Sequence, residues 1–211
     1  MSHLMAAAKM RDYYRWHSRI YDLTRWAFLF GRRNLVSLAA RGPEPARVLE
    51  IGCGTGSNLV ALARVFRSAE IVGLDCSADM LAIARRKVAP LGPRVVLHHE
   101  AYPSLAASRG GLFDLIVFSY CLSMINPGCE EVLRHCVSDL RPGGRIAVVD
   151  FHDTPLRLFR QWMALNHVRM EGQLLPALAA CGVEQTRAEI RPGLGGLWRW
   201  FHWVGEKRLS V

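Results

Sequence analysis

Three glycines at alternate positions, Gly52, Gly54 and Gly56, follow the apolar run Arg47 to Ile51 and precede a stretch of helical character from Ser57 to Phe66. A strand that turns into a helix through glycines lets backbone N–H groups approach a ligand where a side chain would block the way. Asp75 stands 21 residues beyond Gly54, at the end of a second apolar run, Ile71 to Leu74. An acid at the tip of the second strand can accept both hydroxyls of a ribose. The chemistry is therefore nucleotide binding, in one of two versions. A dinucleotide fold prefers G-x-G-x-x-G, whereas here the glycines run G-x-G-x-G behind Glu50 at the strand end.

Further reactive types fall after later strands. Ser119-Tyr120-Cys121-Leu122 follows the apolar run Phe113 to Phe118, and Phe151-His152-Asp153 follows Arg145 to Asp150. Tyr120 and His152 are candidates to orient an acceptor or carry its proton. Aromatic faces stabilise a quaternary ammonium, which makes Tyr21, Tyr120, Phe151 and Trp162 candidates for a cation cage. Arg25, Arg32 and Arg33 suit bidentate pairing with a carboxylate or phosphate. Each also has a plain structural reading: an aromatic packed in the core, a loop histidine, a solvated arginine.

Something must hold these residues at one edge, and the pattern supplies it. Strands are predicted at Arg47–Ile51, Glu70–Leu74, Arg94–His98, Phe113–Phe118 and Arg145–Asp150. Helices are predicted at Ser57–Phe66, Ala78–Val88 and about Glu130–Leu140, with Ser77 as an N-cap. Pro90-Leu91-Gly92-Pro93 and Arg141-Pro142-Gly143-Gly144 punctuate the series. Such alternation makes a doubly wound parallel sheet with ligands at the strand C-termini. Beyond Asp150, helices are predicted at Leu156–Gly172 and Leu174–Cys181. Two strands, Val183–Arg191 and Leu197–Gly205, then close an antiparallel hairpin. Gly42-Pro43-Glu44-Pro45 separates residues 1–45, a helical cap, from a nucleotide-binding core at 46–211.

The totals set limits. A chain of 211 residues with 51% hydrophobic content suits one globular domain with a full core. No run of about 18 apolar residues is present, so no spanning helix is expected, and no signal peptide is evident. The six cysteines, at 53, 76, 121, 129, 136 and 181, form no C-x-x-C pair. Reduced thiols, no metal site and a cytoplasmic location are the expectation. The net charge of +9 suggests an anionic partner, either nucleic acid or a bilayer surface.

Taken together, these blocks resemble the class I S-adenosylmethionine-dependent methyltransferases over roughly residues 46 to 205. Glu50-Ile51-Gly52-Cys53-Gly54-Thr55-Gly56 resembles their motif I, and Asp75, with Met80 nearby, their ribose acid. Glu100-Ala101 resembles the acidic-Ala pair that reads the adenine amino group, Phe113–Val117 the motif IV strand, and Leu140–Gly144 the turn before strand five. The resemblance implies a Rossmann-like α/β fold with a seven-stranded, mostly parallel sheet. It implies S-adenosylmethionine as cofactor, S-adenosylhomocysteine as product, and no metal. The cofactor contacts it implies are Tyr21, Glu50, Gly52, Gly54, Gly56, Asn58, Asp75, Cys76, Met80, Glu100, Ala101 and Ser119. The sequence after strand four lacks the D/N-P-P-Y used on base amines and any Pro-Cys nucleophile pair, so nucleic acid is not the expected substrate.

The N-terminal segment narrows the resemblance. Ile20-Tyr21-Asp22-Leu23-Thr24-Arg25, with Leu29 and Gly31-Arg32 beyond, is similar to the opening of bacterial lipid N-methyltransferases, above all the betaine-lipid branch that methylates the amine of diacylglycerylhomoserine. Phosphatidylethanolamine N-methyltransferases are close relatives, and a small-molecule N- or O-methyltransferase or a non-catalytic basic binding module remain alternatives. Tyr13, Trp16, Ile20, Leu23, Ala27 and Phe30 make an apolar helical stripe, while Lys9 to Arg33 holds seven Lys or Arg against two Asp. This reads either as a helix packed on the domain or as one lying on an anionic inner membrane face, with Tyr14, His17, Arg25, Arg32, Phe151 and Trp162 turned to substrate. The oligomeric state is not legible.

Overall fold

The computed structural model describes residues 29–103 and 111–209. Its centre is one seven-stranded sheet in the order β3-β2-β1-β4-β5-β7-β6. The strands are β1 (Arg47–Ile51), β2 (Glu70–Asp75), β3 (Val95–His99), β4 (Phe113–Ser119), β5 (Leu140–Asp153), β6 (Glu184–Gly193) and β7 (Trp198–Glu206). The first five run parallel, and β7 is antiparallel to both β5 and β6. This is the expected α/β, Rossmann-like architecture with its closing antiparallel hairpin.

Six α-helices are described: α1 (Arg32–Ala39), α2 (Ser57–Val65), α3 (Ala78–Val88), α4 (Cys129–Asp139), α5 (Arg157–Leu165) and α6 (Leu174–Ala179). The continuous apolar runs of β1 and β4 are buried because helices cover both faces, as parallel sheets require. One core holds Leu35 and Val36 of α1, Leu59 and Leu62 of α2 and Leu81 of α3 against Val48, Val117 and Val149. The other sets Leu133 of α4 and Leu178 of α6 against Leu49, Phe118, Phe201 and Trp203. Ser77 caps α3 as its type and position predict, its hydroxyl accepting from the Met80 N–H at 3.3 Å.

Two expectations shift, and a third falls outside the described residues. The turn foreseen at Arg141–Gly144 is absorbed into β5, which spans 14 residues. Leu140 pairs with Phe113, the register slips, and Gly143 takes φ 76° before Leu115 meets Arg145. The helix foreseen over Leu156–Gly172 stops at Leu165, because His167 turns to φ 61° and Arg169 N–H bonds across to the Ser123 carbonyl. Of the cap, residues 29–45 are described, and the amphipathic stretch before Leu29 lies outside the described residues.

What is visible of the cap is fastened firmly. The Tyr120 hydroxyl donates to the Phe30 carbonyl at 2.7 Å, and His202 Nε2 meets the Gly31 carbonyl at 2.8 Å. Gly31 has φ 80°, and a Cβ there would run into the Trp200 ring, so the chain bends into α1 only through glycine. The buried Arg145 guanidinium donates to the carbonyls of Ala39 and Pro43 at the far end of α1.

Candidate functional site

The C-terminal ends of β1, β2, β3, β4 and β5 share one edge, where Gly52, Asp75, His99, Ser119 and Asp153 stand. Gly52, Gly54 and Gly56 adopt φ 69°, 54° and 76°, a left-handed series that side-chained residues resist. A Cβ on Gly52 would collide with Cys121 Sγ, and one on Gly56 would press on Ala84 of α3. The turn is thus narrow because helices and the β4 loop close on it from both sides.

Asp75 organises this turn. Its Oδ2 accepts from the Gly54 N–H at 2.7 Å, and its Oδ1 from the Ser77 N–H at 2.8 Å. Two oriented donors fix the carboxylate plane, and each oxygen has capacity for a further hydrogen bond. Lys87 reaches over from α3 to Thr55 Oγ1 and Ser57 Oγ at 3.1 and 3.2 Å, pinning the far side of the turn. Glu50 and Asn58, foreseen as cofactor contacts, are buried and bonded to each other, Asn58 Nδ2 to Glu50 Oε1 at 3.0 Å. Their bond ties the end of β1 to the first turn of α2. Met80 is buried behind Asp75, while Glu100 and Ala101 stand exposed one residue past His99, the register partner of Asp75. Cys76 is half-buried, and its carbonyl meets His99 Nε2 at 3.0 Å.

At the end of β4, Ser119 is buried and accepts from Arg32 Nε at 3.2 Å. Tyr120 follows with φ 55°, a conformation disfavoured for a bulky residue and met mostly at functional positions. Its ring meets Phe151 edge-on, with centroids 4.7 Å apart. Burial pushes its phenol well above the ordinary range, and the Asp150 charge adds to that. It therefore stays protonated at neutral pH. That removes the role of proton acceptor and leaves those of aromatic wall and hydrogen-bond donor.

A test follows from this geometry. Tyr120→Phe keeps the ring but leaves the Phe30 carbonyl without its donor, at a cost of about 0.5–1.5 kcal/mol. Thermal denaturation is expected to show a small drop in Tm, with proteolysis near residues 29–31 accelerated and S-adenosylmethionine affinity kept. A variant as stable and as protease-resistant as the parent would mean the latch carries no load.

Not every foreseen residue joins the group. His152 lies edge-on to Phe201, in the core on the opposite sheet face from Tyr120 and Phe151. Desolvation lowers its pKa despite the neighbouring Asp153, so it is neutral at physiological pH. Trp162 is half-exposed on α5, against Phe159. Tyr14, His17, Tyr21 and Arg25 lie outside the described residues. Two residues were not foreseen. Lys87 looked like one of several basic residues ending a helix. Asp150, an acid closing the apolar run Ile146–Val149, gave a clearer sign. It is fully buried, accepts from the Ser123 and Phe151 N–H groups at 3.1 and 2.8 Å, and desolvation raises its pKa to about 6.

The set fits an adenosyl amino acid: a narrow backbone-lined turn, an oriented carboxylate at the second strand, an exposed acid at the third. No group of three metal-ligating side chains occurs among the described residues.

Comparison with known proteins agrees. Residues 48–144 match a family model described as a methyltransferase domain. A ubiquinone biosynthesis O-methyltransferase of Pectobacterium carotovorum is 28% identical over 176 residues, 82% of this chain and 66% of that protein. A demethylmenaquinone methyltransferase of Thermus thermophilus is 33% identical over 144 residues, 66% of this chain and 64% of that protein. The chain spans about half to two thirds of the length of the curated relatives it matches. Among solved structures, 1,6-didemethyltoxoflavin N1-methyltransferase of Burkholderia thailandensis superposes with a TM-score of 0.74 at 18% identity, covering 99% of this chain and 91% of that one.

Proposed function

We propose that this chain, whose residues 48–144 match a methyltransferase domain, is a class I S-adenosylmethionine-dependent methyltransferase that methylates the amine of a lipid head group at an anionic membrane surface. The substrate class we favour is diacylglycerylhomoserine, carried to the trimethylated betaine. Phosphatidylethanolamine is the nearest alternative acceptor. The observation that carries this reading is the juxtaposition at the end of β4: Arg32 on Ser119, beside the Tyr120–Phe151 pair. A guanidinium suits a carboxylate or phosphate, and aromatic faces suit a cation. Together they match a zwitterionic head group, whose positive charge becomes permanent with the last methyl.

S-adenosylmethionine, when bound, supplies an electrophilic methyl group for in-line displacement. The turn at Gly52–Gly56 and Asp75 would hold its amino acid and ribose parts, with Glu100 at the adenine. Arg32 would anchor the acceptor's anionic group, and Tyr120 and Phe151 would set the direction of the amine. Orientation of this kind is the main contribution the residues can make, since displacement at a sulfonium needs little acid or base help. The amine's proton leaves to solvent, because Tyr120 holds its own proton and His152 faces the other core.

A second reading is methylation of a quinone-type ring, favoured by the relatives named for ubiquinone and menaquinone synthesis. Methyl-labelled S-adenosylmethionine incubated with vesicles containing each acceptor separates the two. Label in a polar lipid head group is the expected result. Label confined to the quinone fraction would replace this reading with the second, and label only in aqueous products would end both.

A further inference from the structure

We propose that the outer face of α5, with the β6–β7 turn, is the surface on which this protein docks to an anionic bilayer. Helix α5 carries one broad apolar arc, of which the rest of the protein covers only part. Its inner face is accounted for: Phe159 stacks on Trp198 at 5.8 Å and Met163 is buried. The outer face shows Leu158, Trp162 and Leu165, which are 81%, 51% and 79% exposed, at the i, i+4, i+7 spacing of a single stripe. Leu156, just before the helix, and Leu194, in the β6–β7 turn, are exposed as well, and the Thr154 hydroxyl bonds the Leu197 carbonyl to hold that turn beside the helix start. Single exposed apolar residues are ordinary, but here four of the described chain's eleven large ones fall within ten residues.

The charges around the stripe select the occupant. Arg157 flanks it and Arg160 stands on the same helix, while the acids Asp153, Glu171 and Glu189 pair with Arg199, Arg169 and Arg191 and leave Arg157 and Arg160 unopposed by an acid in these pairs. The rim is left positive, and the chain as a whole carries +9. A tryptophan and leucines above a basic rim are what an interfacial helix presents to lipid head groups. A second copy of the chain would meet the same positive rim, and a stable protein interface uses roughly 20–30 residues a side, far more than this stripe offers. The position also suits a membrane. Helix α5 starts four residues after β5 ends, at the ligand edge, and the Trp198 beneath it also meets Phe30 at 6.0 Å.

The purpose of this surface rests on the lipid head-group reading, so its test uses vesicles that contain no acceptor. Phosphatidylcholine vesicles with and without phosphatidylglycerol, sedimented with the full chain, measure partition directly. Partition is expected to rise with phosphatidylglycerol and to fall with salt. The Leu158→Ser/Leu165→Ser variant, altered only at solvent-facing positions, is expected to partition at least tenfold less while circular dichroism and S-adenosylmethionine titration stay unchanged. Arg157→Glu is expected to flatten the salt dependence. Equal partition of parent and double variant would overturn the proposal. So would a parent dimer, seen by sedimentation velocity, that the double variant abolishes while vesicle binding persists. Intact α5-dependent docking without methylation of any lipid would instead retire the substrate reading and leave the docking surface standing.

Discussion

Asp75→Ala is expected to weaken S-adenosylmethionine binding by about 30- to 1000-fold, or roughly 2–4 kcal/mol. The carboxylate is the acceptor for ribose hydroxyls in the proposed pose, and removing it leaves those hydroxyls desolvated without partners. It also removes the acceptor that the Gly54 and Ser77 N–H groups share at 2.7 and 2.8 Å, so the turn itself loses its brace. The two effects can be separated. Asp75→Asn retains one acceptor oxygen and the side chain's volume, so its loss should be intermediate, with thermal stability closer to the parent. Titration calorimetry on the three proteins gives the order. Unchanged affinity in Asp75→Ala would take the ribose away from this acid, and tighter binding of NAD than of S-adenosylmethionine would overturn the cofactor assignment.

The second large effect concerns Asp150. Burial raises its carboxyl from an ordinary 3.8 to about 6, so the folded state binds this proton more tightly than the unfolded chain does. Its contribution to stability is fully present below pH 4, where both states hold the proton. It is lost as pH rises through 6, where folding must keep a buried carboxylate ionised. A shift of about two units corresponds to roughly 3 kcal/mol. The stability difference between the parent and Asp150→Asn should therefore move by about that amount in favour of the variant between pH 4 and pH 7. Urea denaturation across this range reads it, and parallel curves for the two proteins would sink the assignment. The group matters to the site because its two oxygens hold Ser123 and Phe151, which flank the loop after Tyr120.

The elements that position the site were legible because their signals are local. Alternating apolar runs and glycine or proline punctuation located β1 and α3 to the residue, and Ser77 announced its own cap. The glycine spacing and Asp75 led to the turn and its acid. What could not be read depends on packing between distant segments. Nothing local announces that Asn58 bonds Glu50 eight residues earlier. By contrast, the face to which His152 points was legible in principle, since alternation along β5 sets Ala147, Val149 and Phe151 on one side and Ile146, Val148 and His152 on the other. Lys87 reaches Thr55 across 32 positions of sequence, because Gly56 lets α2 and α3 approach closely. The end of α5 depends on a long-range bond from Arg169 to Ser123 that outweighs helical composition.

The way α1 is latched has a consequence for how such a protein diversifies. At Phe30, Gly31, Ala39 and Pro43 the cap offers backbone carbonyls, and the donors Tyr120, His202 and Arg145 all belong to the sheet. A carbonyl is present whatever the side chain, so beyond Gly31, Arg32 and the buried face of Leu35, Val36 and Ala39 the attachment asks little of the cap's own composition. One partner of each bond is invariant by chemistry, and the other is kept by the fold. The exposed positions of α1, Arg33, Asn34 and Ser37, can therefore change while the joint holds and the cofactor turn is untouched. The joint at Gly31 is in this sense a fixed coupling, a place at which a different opening segment can be grafted without disturbing the cofactor turn.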